Sequence, residues 1–275
     1  MTNTKISRRS FLKAAGLTAV SAAALGLTTG CGTNKDQTDW EYIKDKGTLI
    51  IGMTIYPPMN YYDENNKLVG FDTEMAEAVC AKLGVTPKFQ EIEWNSKVTE
   101  LNAKNIDVIW NGMTVTEELG QSIDFSTAYS ENVQVCVINT KNAATYTDIA
   151  SINAAGVTVA AEAGSAGEDA AAENFPNAEL LPVTAQRDCF MELKSGTVDV
   201  AVIDRTMAAA STGAGTSYED LVTIDGLELT HEEFAVGLRK GSDLTALLND
   251  TFAELVENGT VDAIAAKYPT VAVTL

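Results

Sequence analysis

The chain has 275 residues, 45% of them hydrophobic, which is enough apolar material for one large or two modest domains. Its 38 acidic residues outnumber 19 basic ones, for a formal charge of −19, which disfavours nucleic acid and anionic headgroups because both demand clustered Lys and Arg. A single histidine, His231, argues against His-based zinc sites and a Ser-His-Asp triad, so no metal or cofactor is expected; of four cysteines, Cys80, Cys136 and Cys189 lack CxxC pairing and read as small buried hydrophobes.

At the N-terminus, residues 7–13 are charged and carry the adjacent pair Arg8 and Arg9, and residues 14–27 are small and apolar with no charge. This is signal-peptide grammar, and the apolar run is short of the roughly 20 residues that a bilayer span needs. The segment 7–13 resembles the twin-arginine export signal. The small residues before Cys31 resemble a bacterial lipobox, although Thr28 stands where a lipobox usually has Leu and Leu27 lies one place early. The expectation is a removable signal over 1–30, lipidation (palmitate) at Cys31, a polar tether over 31–39, and an extracytoplasmic protein anchored to the cell membrane. An ordinary secretory signal with a chance cysteine, or an uncleaved anchor, remains as the alternative. Removing 1–30 takes away Lys5, Arg8, Arg9 and Lys13 and no acid, so the charge becomes still more negative.

Beyond Trp40, short apolar runs alternate with amphipathic segments, the pattern of α/β units. Strands are predicted at 48–53, 88–91, 107–110, 133–138, 157–161, 179–183, 199–203 and 234–238, with helices between them. Asp72 is placed to cap a helix that stacks Met75, Val79 and Leu83 on one face and stops at Gly84. Leu244, Leu247, Leu248, Thr251 and Leu255 form a similar stripe over 243–257. Both stripes read as core, and two α/β lobes are the natural parse.

Ligands of open α/β sheets sit at the carboxyl ends of strands, which singles out several loops. Asn111, Gly112 and Thr114 follow the 107–110 strand in a polar loop, offering an amide, an approachable backbone and a hydroxyl; an ordinary strand-to-helix turn fits equally well. Residues 163–168 lead into a helix whose free N–H groups suit a carboxylate, and they lack the glycine order of nucleotide loops. Asp204 closes another strand and can meet an ammonium group, or else pair with Arg205 or cap the next helix. Tyr56, held by Pro57 and Pro58, and Trp94 offer aromatic faces to a cavity, or simply pack.

In this order, the stretches 47–52, 56–58, 67–72, 105–107, 112–116, 124–126, 164–169, 195–199 and 236–241 resemble the extracellular solute-binding proteins of polar amino-acid ABC transporters, family 3. The resemblance covers nearly all of residues 40–268. It implies a two-lobed, type II periplasmic-binding-protein-like α/β fold: lobe 1 from 40–132 plus 234–275, lobe 2 from 133–233, and two crossovers near 133–138 and 229–237. It also implies a monomer that closes on one ligand and delivers it to an ABC permease and its ATPase.

Carried over by position, Tyr56 and Trp94 become the walls, and Asn111, Gly112, Met113 and Thr114 the lobe 1 contacts. Glu162, Ser165 and Ala166 line lobe 2, and Asp204 takes the ligand's α-ammonium. Two positions depart from the family pattern. The arginine that forks onto a ligand carboxylate corresponds to Leu119, and the threonine that assists it corresponds to Ala166. Asp204 and Glu162 therefore tilt the site toward an amine, with any carboxylate left to Ser165, to backbone N–H groups, or to a relocated base such as Lys97 or Arg187. Two other classes compete. An enzyme on the same scaffold, a dehydratase or murein-cleaving protein, needs a placed acid, and Glu162 is the candidate. A sensor that presents its ligand to a receptor is the third class.

Overall fold

The computed structural model describes residues 37–275. The signal over 1–30, Cys31 and most of the tether lie outside the described residues. Helix Asp39–Lys46 opens on a capping box in which the Thr38 side chain accepts the Glu41 N–H while the Glu41 carboxylate accepts the Thr38 N–H, and Gly47 closes it in the left-handed conformation. Asp39, the last residue assigned to the tether, is thus helical, and its carboxylate takes Arg239 Nε at 2.9 Å.

The main sheet carries its strands in the order Thr86–Glu91, Thr48–Met53, Val108–Thr114, Leu221–Arg239, Ser130–Asn139, Val200–Asp204, Thr158–Glu162, Glu179–Val183. The first three are mutually parallel, and so are the last three. Between these two sets lie the two long strands Ser130–Asn139 and Leu221–Arg239, antiparallel to each other. A parallel set on each side of an antiparallel pair is a two-lobed α/β arrangement with two crossing strands.

The predicted strands 48–53 and 179–183 match their strands residue for residue. Four others, 88–91, 107–110, 133–138 and 234–238, are longer than predicted, and two of these extensions bear on the site. Val108–Thr114 does not stop at Trp110, because Met113 and Thr114 pair with Ala235 and Phe234 of the crossing strand. Asn111 and Gly112 therefore lie inside a strand and not in a loop. Gly112 has φ +55°, and the register slips between Ala235 and Gly237, the signature of a bulge. Leu221–Arg239 extends far upstream of residue 234, since Leu221–Glu233 pairs along Ser130–Asn139 although half of it is polar.

Asp72 also departs from its expected place. Helix Phe71–Leu83 starts after Gly70, whose φ of 128° and contact with the Met59 carbonyl leave no room for a side chain, and Asp72 caps nothing. Its buried carboxylate turns inward, where Oδ2 accepts the Gly112 N–H at 2.7 Å and the Tyr129 hydroxyl at 2.9 Å. The rest of the helix behaves as its pattern predicts: Met75 and Val79 are buried, and Gly84 caps the C-terminus.

The core follows the sheet. Phe71, Met75, Trp110, Tyr129, Phe234, Leu248 and Phe252 pack together on one face of the first set. Trp94, Leu101, Ile109, Met113 and Ile123 fill the other face. Cys136, Ile138, Val159, Val200, Val202 and Phe175 form a cluster in the second set. Cys80, Cys136 and Cys189 are free and buried as expected, and burial pushes the thiols of Cys80 and Cys136 up to about 12. Among the described residues no helix is long and apolar enough to cross a membrane.

Candidate ligand site

The parallel strands of both sets end toward one cavity of about 270 Å³. The chain leaving Met53 supplies Tyr56, the turn after Glu91 supplies Trp94, and the end of Val108–Thr114 supplies Asn111, Gly112, Met113 and Thr114. From the other side come Glu162, Ser165, Ala166 and Asp204. All ten positions singled out in the sequence line this cavity. So do Leu119 and Lys97; Arg187 does not.

Asp204 is buried at the end of its strand, and its partners are amides. Oδ1 accepts Asn132 Nδ2 at 2.5 Å and Gln134 Nε2 at 2.7 Å, and Oδ2 accepts Gln186 Nε2 at 2.5 Å. Gln186 completes the clasp by accepting the Asp204 N–H through Oε1 at 3.1 Å. Neither bland alternative for Asp204 occurs: Arg205 pairs with Glu228 at 2.9 Å, and Asp204 makes no side-chain cap on the helix that follows. Asn132 and Gln134 also donate to Glu232 Oε2, so two carboxylates share the same two amide NH2 groups. Burial first, and the nearby Glu232 charge second, push Asp204 up to about 7 against the pull of its three amide donors.

Several buried polar atoms that line the cavity have no partner within the protein. These are Glu162 Oε1, Gln134 Oε1 and the Tyr56 hydroxyl. Glu162 is 4% exposed, and burial, then the Asp204 charge, push it up to about 8. Burial pushes Tyr56 upward too, and Asp204, Asp72 and Glu232 reinforce the shift. The Tyr56 ring stands edge-on to Phe234 with centroids 6.5 Å apart.

Asn111 reaches the cavity with a committed amide. Nδ2 donates to the Thr54 carbonyl and to Asn60 Oδ1, while Oδ1 accepts the Thr54 N–H and hydroxyl. It ties its strand to the segment 54–60 and has no side-chain proton left for a ligand. Thr114 donates its hydroxyl to Glu232 Oε2 at 3.0 Å. Gly112 is fixed from behind by Asp72, and a Cβ there would come within 2.7 Å of the Tyr56 ring. Ser165 caps helix Ala166–Asn174 by accepting the Glu168 N–H.

The clasp residues Asn132, Gln134 and Gln186, and the positioning residue Asp72, were not foreseen. Two of them had a signal: Asn132 and Gln134 stand two apart beside the apolar run 133–138, hence on one face, and a buried polar pair calls for a partner. Gln186, at a helix start, had none.

The sequence profile of the bacterial extracellular solute-binding proteins, family 3, matches residues 49–271. The chain belongs to this family. It is similar to the L-cystine-binding protein TcyJ of Escherichia coli (strain K12), 28% identical over 228 residues, 82% of this chain and 84% of that one. Among solved structures it is similar to an amino acid ABC transporter substrate-binding protein from Streptococcus pneumoniae Canada MDR_19A bound to L-arginine, with TM-score 0.76 and 26% identity over 86% of this chain and all of that one. An ancestral amino acid-binding protein, a precursor of cyclohexadienyl dehydratase, matches with TM-score 0.76 and 29% identity over 83% of this chain and 98% of that one. The family member described here is accordingly a substrate-binding protein of the ABC-importer class, with the two-lobed fold of its structural neighbours.

Proposed function

We propose that this protein captures a polar amino acid or a related amine outside the cytoplasm and hands it to an ABC permease driven by its ATPase. The observation that carries this reading is the Asp204 clasp: a buried carboxylate fixed by three amides, facing a cavity in which Glu162 Oε1 and Gln134 Oε1 are acceptors without donors. A carboxylate has about four lone-pair sites, and the clasp leaves room for an ammonium group beside two more acceptors. Tyr56 and Trp94 supply the walls and Met113 an apolar floor. Gly112 and the start of helix Ala166–Asn174 supply backbone groups, and Asn111 and Thr114 stabilise the frame. Relatives that bind L-cystine and L-arginine are consistent with an amino-acid ligand.

In this reading lobe 1 comprises 40–132 and 234–275, lobe 2 comprises 133–233, and the protein acts as a monomer without turnover of its ligand. A lipid on Cys31, reached through a twin-arginine signal, keeps the capture protein at the membrane surface near its permease. Cys31→Ser should release the protein from the membrane fraction, and replacing Arg8 and Arg9 by Lys should block export; retention of both behaviours by the variants would remove this part of the reading. A thermal-shift screen over amino acids, amines and short peptides tests the capture function, because a ligand that binds only the folded state raises its stability. A rise with an amino acid or amine is expected. A screen in which none of them shifts the transition would defeat the proposal.

A further inference from the structure

Lys97 is the first residue of helix Lys97–Asn102, on the Trp94 side of the cavity. It is 6% exposed, an unusual burial for a lysine, and no carboxylate lies within ion-pair distance of it among the described residues. Its ammonium Nζ donates to the Gly164 carbonyl at 2.7 Å and is 3.4 Å from the Trp94 carbonyl. It also sits 4.9 Å from the centre of the Trp94 ring. An ammonium has three protons, so the two carbonyls leave at least one, and a buried cation without a counter-charge is costly.

The Gly164 contact fixes where that charge stands: beside the start of helix Ala166–Asn174. The N–H groups of Ala166 and Gly167, as the first two of the helix, have no intrahelical acceptor. A buried ammonium and free helix N–H groups converge on the same part of the cavity, and both suit an anion. Leu119 and Ala166 line this part of the cavity without charge. The acids Glu118 and Asp169 line it too, but both are exposed, so solvent screens them. Glu162 is the buried acid that interacts with Lys97: burial, then the Asp204 charge, push it up, while Lys97 pulls it down. Burial lowers Lys97 against the Glu162 and Asp169 charges, so an anionic ligand would supply the counter-charge that keeps the ammonium protonated. Arg187, the other candidate base, is half-exposed, stands 3.9 Å from Asp188 and does not line the cavity.

We infer that Lys97 is the specificity-determining residue that receives the anionic end of the ligand, the α-carboxylate of an amino acid, together with the N-terminus of helix Ala166–Asn174. This rests on the proposed capture of an amino acid with its ammonium at Asp204, and it excludes simple amines as preferred ligands. The ligand then spans the cavity from Asp204 to Lys97. Because Lys97 is anchored on one side of the cavity and touches Gly164 on the other, the carboxylate would sit at a junction of the two sides.

The test uses ligand pairs that differ only by the carboxylate: L-arginine and agmatine, L-lysine and cadaverine, L-histidine and histamine. Titration calorimetry is run on wild type, Lys97→Gln and Lys97→Arg. Wild type should prefer at least one amino acid over its amine by about 10- to 100-fold, the worth of a charge-assisted hydrogen bond. Lys97→Gln should erase that preference by weakening the amino acid while the amine binds at least as tightly as to wild type, since a like charge has left the cavity, which also shows that the variant is folded, and Lys97→Arg should keep much of it. If wild type binds each amine as tightly as its amino acid, or if Lys97→Gln keeps the preference, the assignment of Lys97 fails and amino-acid or amine capture stands. If wild type binds no member of any pair, the cationic-ligand reading of the Asp204 cavity fails, and this inference with it.

Discussion

Asp204 shows how a carboxylate is prepared for a cation it does not yet hold. Three amides orient it and partly offset its burial, yet burial and Glu232 keep it near neutrality, up to about 7. An ammonium ligand selects the ionised form, so affinity should rise by up to about tenfold per pH unit below that value and level off above it. Calorimetry from about pH 6 to about pH 8 reads this directly. Asp204→Asn should bind about 100-fold more weakly and lose most of the slope. Stability has the opposite sign. Asp72 and Asp204, each up to about 7, and Glu162, up to about 8, are raised above their unfolded values, so their contribution is full below about pH 4 and is lost as pH rises through about 7 to 8. Urea melts of the ligand-free protein should show higher stability at about pH 5 than at about pH 8, and Asp72→Asn should shrink that difference. Asn at this position keeps an acceptor for the Gly112 N–H and the Tyr129 hydroxyl.

At the scale of elements, two glycines decide how backbone segments approach the cavity. Gly112 makes the bulge that turns Val108–Thr114 at its end, and Asp72 holds its N–H. Gly164, with φ +71°, ends the turn after Thr158–Glu162 and lies so close to the opposite side that a Cβ would come within 2.9 Å of Asn95 Cα. Gly164→Ala therefore meets two obstacles, a left-handed conformation that costs about 1–2 kcal/mol and backbone that cannot give way. The second exists only while the two sides touch. Ligand affinity should fall by about tenfold, more than stability accounts for, and small-angle scattering with saturating ligand should show a less compact variant. An unchanged affinity would mean that the sides need not meet here. The strand errors of the sequence belong to this scale. Asn111 and Gly112 are turn-forming residues by local chemistry, and only the pairing of Met113 and Thr114 beyond them with Ala235 and Phe234 carries the strand through.

Across the whole molecule, distant segments are fastened by a buried arginine. Arg239 Nε pairs with Asp39, and its Nη1 donates to the carbonyls of Leu101 and Ile106, joining the first helix, the end of the long crossing strand and the loop before Val108–Thr114. Asp107 accepts Lys46 Nζ and the Ile50 N–H in the same region. Arg239→Met should cost about 3–5 kcal/mol in urea unfolding, because it leaves Asp39 and two carbonyls without their donor. The clasp at the site is built across similar distances. Asn132 and Gln134 come from one crossing strand and Glu232 from the other, so the groups that hold Asp204 stand where the two parallel sets are joined.

What the sequence determined by itself is what depends on short-range periodicity. Apolar runs located the parallel strands, and the stripe ending at Gly84 located a helix; strand ends and the family resemblance together singled out ten residues that line the cavity. Polar side chains with local meaning, such as a charge at a strand end, were legible for the same reason. The tertiary structure decided which of these groups are free. Asn111 spends its amide on Thr54 and Asn60, Asp72 turns from a cap into a support for Gly112, and Lys97 enters the cavity as a buried cation. Each outcome depends on a partner between 40 and 67 positions away, and no local pattern encodes the burial that makes an unpaired charge costly and so reserves it for a ligand.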